Sequence, residues 1–484
     1  MTPTRLSASS AMALHMQTPA APAACVSTAI LAPSTELTHD VLNEWAASAL
    51  TGLARFRSRL IDKPFGIGQP VWADVVDFDA AAQIGQATVP ATGGDEEFGV
   101  LVEKLTAADP SDRLLWQAWT VDGLAGGRWA LVVKMSPVLA DGGPGVVAMW
   151  DHLLSSRKDS LRALPSEAGM GPAPSMRELV TDTLLELVEN QFIGAHIVTQ
   201  LATDAFLAVC RTVQGAAPED VKLSTTAMNA RLTKRRSVAM TSVAAADVSA
   251  ISDAFGGNTA NVILAACALS LRGWLHRHSA VPVEPLVLAV PLALPAGDPA
   301  RGATSRAVGR VHVPVQLSDP VEVLTYLHTA TERLNIANRE EHGWGWRSER
   351  IAEAVALVPP PVARLAAQVS AGLGSSWWSA PRCHASVSFV RGPAGPVYCA
   401  GVEVVGMHTA DPLAEGCGLG IVVTSHDDVM DICLTACPDN VGNTAVVATG
   451  IRDAVAALLE AAHSSPRGEG QSVVSEMTSH NSRR

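Results

Sequence analysis

The sequence predicts an α/β protein built as two mixed sheet-and-helix halves joined by a helical linker. Three observations lead there. Segments of strand character alternate with segments of helical periodicity over the first third of the chain, and a second such series begins near Ser237. Between the two series a Pro/Gly-rich stretch, Pro165 to Pro174, breaks the pattern, and helical sequence follows it near 176 to 212. At 484 residues the chain also exceeds one ordinary core, so two or three domains are expected.

The elements follow in order. Residues 24 to 32 and 72 to 77 read as strands, and Thr38 to Leu53 as the helix between them, with Thr38 as its cap and apolar residues at helical spacing. Residues 95 to 106 read as helix. Trp116 to Val121 and Arg128 to Met135 read as paired strands around the turn Gly126-Gly127. In the second series Asn261 to His276 is a helix of mostly small apolar residues. Leu286 to Pro291 and Arg310 to Leu317 are strands, and Val321 to Ala337 is an amphipathic helix. Residues 349 to 373 form two helical pieces broken at Pro359-Pro360-Pro361, because proline cannot donate inside a helix. Four strands, 384 to 390, 402 to 407, 419 to 424 and 429 to 435, and a helix near 442 to 462 close the fold. The expected domains are 1–165, a helical linker 166–236, 237–463, and a polar, disordered tail 464–484.

Composition excludes several function classes. Hydrophobic residues make up 48% and charged residues 17%, so a large core is available and disorder over most of the length is not expected. Net charge is −12 and the 35 Lys and Arg are scattered, which argues against nucleic acid and against a polybasic membrane patch. Eight cysteines include no CxxC pair and no Cys/His cluster at zinc spacing. Buried free thiols in a reducing cytoplasm are therefore expected, with no metal. The N-terminal stretch ending at Cys25 loosely has the look of a lipoprotein signal, but His15 and Gln17 break its apolar run, so export is not expected. No run of eighteen apolar residues reads as a spanning helix.

The stretch VVKMSPVLADGGPG, residues 132 to 145, has the form strand, tight turn, helix, which is a good place to hold a reactive side chain. The turn offers Ser136 and Pro137, then Asp141-Gly142. No Lys-Ser/Thr or GxGxxG spacing follows, so its glycines do not form a nucleotide loop.

With these segments in order, the sequence resembles the bacterial wax ester synthase/diacylglycerol acyltransferase family, of the chloramphenicol-acetyltransferase-like superfamily. The likeness runs from about Leu6 to Leu459 and rests on three stretches in sequence. These are FRSRLIDKPFGIGQPVWADVVDFD, SDRLLWQAWTVDGLAGGRWALVVKM, and the C-terminal SVSFVRGPAGPVYCAGVEVVGMHTADPLAEGCGLGIVVTSHDD. The resemblance implies two acetyltransferase-like halves enclosing a tunnel, entered by acyl-CoA from one side and by diacylglycerol or a long-chain alcohol from the other. It implies no cofactor. In the family a HHxxxDG motif supplies the chemistry. Its second histidine takes the proton from the acceptor hydroxyl as that oxygen attacks the thioester, a task suited to a near-neutral pKa. Its Asp holds the turn and its Gly lets the backbone bend. No acyl-enzyme is needed, since both substrates are held together.

Laid on this chain, Asp141 and Gly142 match the DG, while Ser136 and Pro137 fall where the two histidines should be. Proline has no titratable group and no N–H, and Ser136 has no adjacent histidine to activate it. Other family segments also depart. PLW reads Leu114-Leu115-Trp116, Asn-Asp falls on Ala260-Asn261, Gly-Asn-Arg reads Thr304-Ser305-Arg306, and SNVPGP reads Ser388-Phe389-Val390-Arg391-Gly392-Pro393. Asn261 and Arg306 are carried over as structural residues, and Trp116, Ser388 and Phe389 as candidates to line the tunnel. Residues that should do chemistry have changed while the apolar framework has not, which suggests a degenerate member.

His384 is the candidate for a substitute base, because His384, Ser386 and Ser388 share one face of a strand by its period of two. A hydrogen-bonded strand histidine is the ordinary reading of it, and His312 and His408 are similar single strand histidines. His152 lies too far along the following helix, roughly 15 Å from the turn at about 1.5 Å per residue. Trp344, Trp346, Trp377, Trp378 and the apolar 349–373 region have two readings. One is contact with a membrane or lipid-body surface; the other, favoured, is packing on the core. Three functions stay open: an acyl-CoA-dependent O-acyltransferase with weak residual turnover, a non-catalytic acyl-CoA or lipid binder or partner of an active paralogue, and a purely structural protein.

Overall fold

The computed structural model describes residues 4–7, 10–11, 14, 24–107, 115–140, 144–156, 166–188, 226–278, 281–291, 308–340 and 383–464. The first series comprises β1 (Thr4–Arg5), β2 (Cys25–Leu31), α1 (His39–Thr51), β3 (Ser58–Ile61), β4 (Val71–Asp74), β5 (Ile84–Thr88), α2 (Asp95–Ala107), β6 (Trp116–Leu124), β7 (Arg128–Met135), α3 (Pro137–Ala140) and α4 (Pro144–Leu153). The second begins with β8 (Ser237–Ala244), α5 (Ala245–Phe255), α6 (Thr259–His278), β9 (Leu286–Pro291), β10 (Val308–Val313) and α7 (Pro320–Glu340). It continues with β11 (Ala385–Arg391), β12 (Tyr398–Cys399), β13 (Val402–Ala410), β14 (Leu419–His426), β15 (Val429–Ala436) and α8 (Thr444–Ser464).

These strands form two six-stranded mixed sheets, β12-β13-β2-β7-β6-β5 and β10-β9-β11-β14-β15-β8, and a small sheet β1-β4-β3. One expectation is corrected here. Residues 398–410 fall inside the range assigned to the second half, yet β13 pairs antiparallel with β2 of the first sheet, from Val404↔Leu31 to Ala410↔Val26. Hydrophobic pattern places a strand but not its sheet. Here β13 covers an edge of β2 that would otherwise stand unpaired. A lesser difference is the end of β4 at Asp74, short of the expected 77; Asp77 takes a left-handed φ of 53°, where the chain turns.

Local chemistry accounts for the elements that position the site. Thr38 caps α1 by accepting from the Val41 N–H at 3.3 Å, and Leu42, Ala46 and Leu50 bury one face of that helix. The β6–β7 hairpin turns through Gly126 and Gly127, both left-handed at φ 72° and 74°. Strand β7 is central and divides its side chains by the period of two. Leu131, Val133 and Met135 join the core beneath α1 and α4, whereas Ala130 and Val132 meet Val238, Met240 and Cys433 of the second half. The second sheet divides likewise: Leu288, Ala385, Val387, Leu419 and Ile421 pack under α6, α7 and α8. The halves touch closely where α2 crosses β8; a Cβ on Gly99 would meet the Val238 carbonyl oxygen at 2.6 Å.

Residues 176–188 of the expected linker are helical, and this stretch is tied to the first half by buried charges. Lys63 Nζ pairs with Asp182 at 2.5 Å and with Glu186, and Arg5 reaches Asp182 at 2.7 Å. The remainder of the linker's expected helix, the 349–373 region, Trp344, Trp346, Trp377, Trp378 and the tail lie outside the described residues. Among the described residues no single helix is long and apolar enough to cross a membrane.

Candidate active site

The site is best built from the end of β7. Ser136 follows the strand, and its N–H donates to the Leu115 carbonyl at 2.6 Å, just before β6. Its own carbonyl accepts from the Leu139 and Ala140 N–H groups at 2.9 and 3.1 Å, and its Oγ accepts from the Val138 N–H at 3.3 Å. Ser136 is therefore the N-cap of α3 and Pro137 the first helical residue, where a missing N–H costs nothing. Val138, Leu139 and Ala140 are buried, while Ser136 and Pro137 are half-buried. The next helix presses directly on this turn: a Cβ on Gly145 would lie 1.7 Å from the Leu139 carbonyl oxygen, so only glycine fits there.

At this turn the pair Ser136-Pro137 completes a helix start and offers no proton acceptor of useful pKa. Among the described residues no histidine bonds to the Ser136 hydroxyl. Asp141 and Gly142 of the motif, and Arg306, lie outside the described residues. Asn261 is buried at the start of α6. Its N–H donates to Asn258 Oδ1, its Oδ1 accepts from Thr331 Oγ1 at 2.9 Å, and its Nδ2 lies 3.3 Å from His328 Nδ1. It joins α6 to α7.

The tunnel-lining candidates separate. Trp116 packs in the first core against Phe56 and Phe78, its Nε1–H donating to the Phe56 carbonyl at 2.6 Å. Phe389 packs against the second core. The period of two sends Trp116 to the helix-covered side of β6, and Phe389 to the same side as Ala385 and Val387. Ser388, half-buried, alternates with Phe389 onto the opposite side of β11, the side turned from the helices.

His384 is corrected as a substitute base. It is fully buried, its N–H donates to the Val287 carbonyl at 2.8 Å, and its Nδ1 accepts from the Val287 N–H at 2.9 Å. Accepting at Nδ1 leaves the neutral ring's proton on Nε2, so the lone pair a base would use is committed to the backbone. His384 pins β11 to β9. His152 has Nδ1 3.0 Å from the Ala148 carbonyl, one turn back on α4.

A polar cluster that the sequence reading passed over lies where the two sheets meet. Asp431 on β15 accepts from Ser242 Oγ of β8 at 2.5 Å and from the Met407 N–H of β13 at 2.6 Å. His426 Nδ1 of β14 is 3.2 Å away, and His408 Nε2 of β13 is 3.9 Å away. All three ionisable side chains are buried. Burial alone would raise the Asp431 carboxyl, but His426, His408, Ser242 and the Met407 N–H together hold it below the usual carboxylate value. Contact with Asp431 pushes the His426 imidazole up, and burial pushes His408 down despite that same carboxylate. The available signal was Asp431 itself, an acid inside the apolar strand VMDICLTA that requires partners from elsewhere. Among the described residues no group of His, Cys, Asp and Glu could hold a metal ion.

Comparison with known proteins decides the family. The model of the wax ester synthase/diacylglycerol acyltransferase catalytic domain matches residues 6–263, and that of the WS/DGAT C-terminal domain matches residues 307–459. The chain belongs to the wax ester synthase/diacylglycerol acyltransferase family. A putative diacylglycerol O-acyltransferase of Mycobacterium tuberculosis is 28% identical over 419 residues, covering 84% of this chain and 86% of that one. A second from the same organism is 25% identical over 482 residues, covering 96% and 92%. The wax ester synthase/diacylglycerol acyltransferase structure from Marinobacter aquaeolei VT8 superposes with a TM-score of 0.67 at 19% identity, covering 95% of this chain and all (100%) of that one. The first condensation domain of the calcium-dependent antibiotic synthetase has the same fold at a TM-score of 0.51 and 16% identity, covering 95% and 96%. The acetyltransferase-like α/β fold expected from the sequence is the one observed.

Proposed function

We propose that this family member keeps the fold that brings acyl-CoA and a hydroxyl-bearing lipid together but has lost the general base, so that acyl transfer to diacylglycerol or a long-chain alcohol is weak or absent. The observation that carries the reading is the Ser136 cap with Pro137 behind it. Where the family's motif has a histidine pair, this chain has two residues that start α3. Losing a general base costs about 10²–10⁴-fold in rate, which leaves room for slow turnover through proximity alone. The same observation favours a second reading, a non-catalytic binder of acyl-CoA or lipid, or a partner of an active paralogue. A position in the cytoplasm against the inner membrane face or a lipid body follows from that acceptor class and belongs to the proposal.

The test is free-CoA release from palmitoyl-CoA with diolein or hexadecanol as acceptor, for the wild type and for the Ser136→His, Pro137→His double variant. The expected result is a wild-type rate at or near the no-acceptor blank and a rate at least tenfold higher in the variant. Robust acceptor-dependent release by the wild type would sink the lost-base reading. Silence in a folded variant that still binds palmitoyl-CoA would count against the intact-site part of it. Release in the variant alone, with acyl-CoA binding in both, selects the silent binder.

A further inference from the structure

Two thiols outside the candidate active site lie together just ahead of two neighbouring strands of the second sheet. Strands β11 and β14 run parallel, with Ala385 opposite Leu419 and Ser386 opposite Gly420. Cys383 and Cys417 each lie two residues ahead of that register, just before the strands begin. Adjacent strands lie about 4.8 Å apart, inside the Cα separation of about 4.4–6.8 Å that a disulfide spans. Both cysteines are buried, 4% and 5% exposed, and they cluster with each other and Ala289. One side chain holds the two segments together: Asn229 Nδ2 donates to the Cys383 carbonyl at 2.9 Å and to the Gly416 carbonyl at 3.2 Å.

The two sulfurs are chemically unequal. The Cys417 S–H donates to the Leu419 carbonyl at 3.5 Å. Contact with Cys417 holds the Cys383 thiol below the ordinary cysteine value against the effect of burial, and the Ala289 backbone and the Arg310 charge act in the same direction. Arg310 is placed there by register, opposite Ala289 on the neighbouring strand β10. Cys417 is pushed well above the ordinary value by its contact with Cys383 and by burial. Elsewhere burial pushes Cys267 and Cys399 up to about 12. Cys437 is also lowered, by Thr233 and nearby backbone N–H groups, but its cluster with Leu232 and Leu413 holds no second thiol. One low thiol beside one protonated thiol is the arrangement in which the first attacks an oxidant and the second resolves the product.

We propose that Cys383 and Cys417 form a reversible oxidation site that closes an intrachain disulfide on meeting a hydroperoxide and reopens with a dithiol. The Cys383 thiolate attacks the peroxide oxygen. The O–O bond breaks, the sulfur is oxidised to a sulfenic acid, and the other oxygen leaves as water or an alcohol after taking a proton. The Cys417 sulfur then attacks the sulfenic sulfur, the S–S bond forms, and the departing hydroxide takes the Cys417 proton and leaves as water. Two thiols and one hydroperoxide thus give one disulfide, one water and one water or alcohol. A dithiol reverses the change by exchange, itself becoming the disulfide.

The experiment uses the full-length protein, fully reduced, then treated with hydrogen peroxide, denatured, alkylated and mapped by mass spectrometry. The expected result is a cross-linked peptide pair joining Cys383 to Cys417, abolished by dithiothreitol, with Cys267, Cys399 and Cys433 alkylated as free thiols. In the Cys417→Ser variant Cys383 is trapped as a sulfenic acid and captured by dimedone, whereas Cys383→Ser gives no adduct at Cys417. Recovery of both Cys383 and Cys417 as free alkylated thiols from the peroxide-treated wild type overturns the proposal, as does a cross-link from either to another cysteine.

Discussion

The turn after β7 and the meeting of β8, β13, β14 and β15 both carry polar groups into a mostly apolar body, and they satisfy them in opposite ways. At the turn, Ser136 bonds to Val138, Leu139 and Ala140, all within four residues, with Leu115 as the single distant partner. At the sheet junction, Asp431 draws Ser242, Met407, His408 and His426 from three other strands, one of which is hydrogen-bonded into the first sheet. The first arrangement organises a local helix start. The second ties the two halves together. The turn after β7 thus meets its own polar needs locally, and the connection between the halves is made elsewhere.

The sharpest way to break this contrast is at Asp431. Asp431→Ala leaves the His426 imidazole, the Ser242 hydroxyl and the Met407 N–H buried without their acceptor, and removing one partner of a buried ion pair costs about 3–5 kcal/mol. Urea unfolding should show a loss of that order, with weakened contact between the halves visible as faster hydrogen exchange in β13. A loss below about 1 kcal/mol, the size of an exposed ion pair, would mean that Asp431 does not tie the halves together.

His426 sharpens the contrast by pH. Its folded pKa is raised above 6.5, so its contribution is fully present below that value and is lost as pH rises through the folded value. Asp431 is lowered, so its contribution is present above the ordinary carboxylate value and is lost as pH falls through the folded one. His408 is lowered too, so on its own it favours the folded state as pH rises. His426→Gln should therefore destabilise most between the carboxylate range and about 6.5, by about 1.5–3 kcal/mol, the scale of a close polar contact to a charged group. The gap to wild type should narrow steadily at higher pH. Thermal melts of both proteins across pH 5 to 9 measure it, and a gap that widens with pH contradicts the assignment.

Legibility follows the same division. The α1 cap at Thr38, the Gly126-Gly127 hairpin, the strands β9, β14 and β15 and the helix α8 were readable because their causes lie within a few residues. The faces taken by Trp116 and Phe389 were not readable, because the sequence shows alternation without saying which side carries helices. His384 was raised as a base because its partner, the Val287 N–H, is 97 residues away in sequence. The crossing of β13 into the first sheet and the Asp431 cluster depend on pairings between distant strands. Gly145 looked like ordinary turn sequence until the Leu139 carbonyl was seen against it.

The smallest expected effect is at the turn itself and separates capping from chemistry. If Ser136 serves α3 alone, Ser136→Ala should cost about 1 kcal/mol, the usual loss for an N-cap, and leave palmitoyl-CoA binding unchanged. Ser136→Asp, which retains an acceptor for the Val138 N–H, should recover that stability. A hydroxyl with a role in acyl transfer behaves differently: Ser136→Ala would then depress any acceptor-dependent CoA release, and Ser136→Asp would restore stability without restoring the rate. Measuring both variants by chemical unfolding and by CoA release therefore distinguishes a residue that starts a helix from one that also handles substrate, since only stability changes in the first case, whereas in the second the rate falls too and does not return with stability.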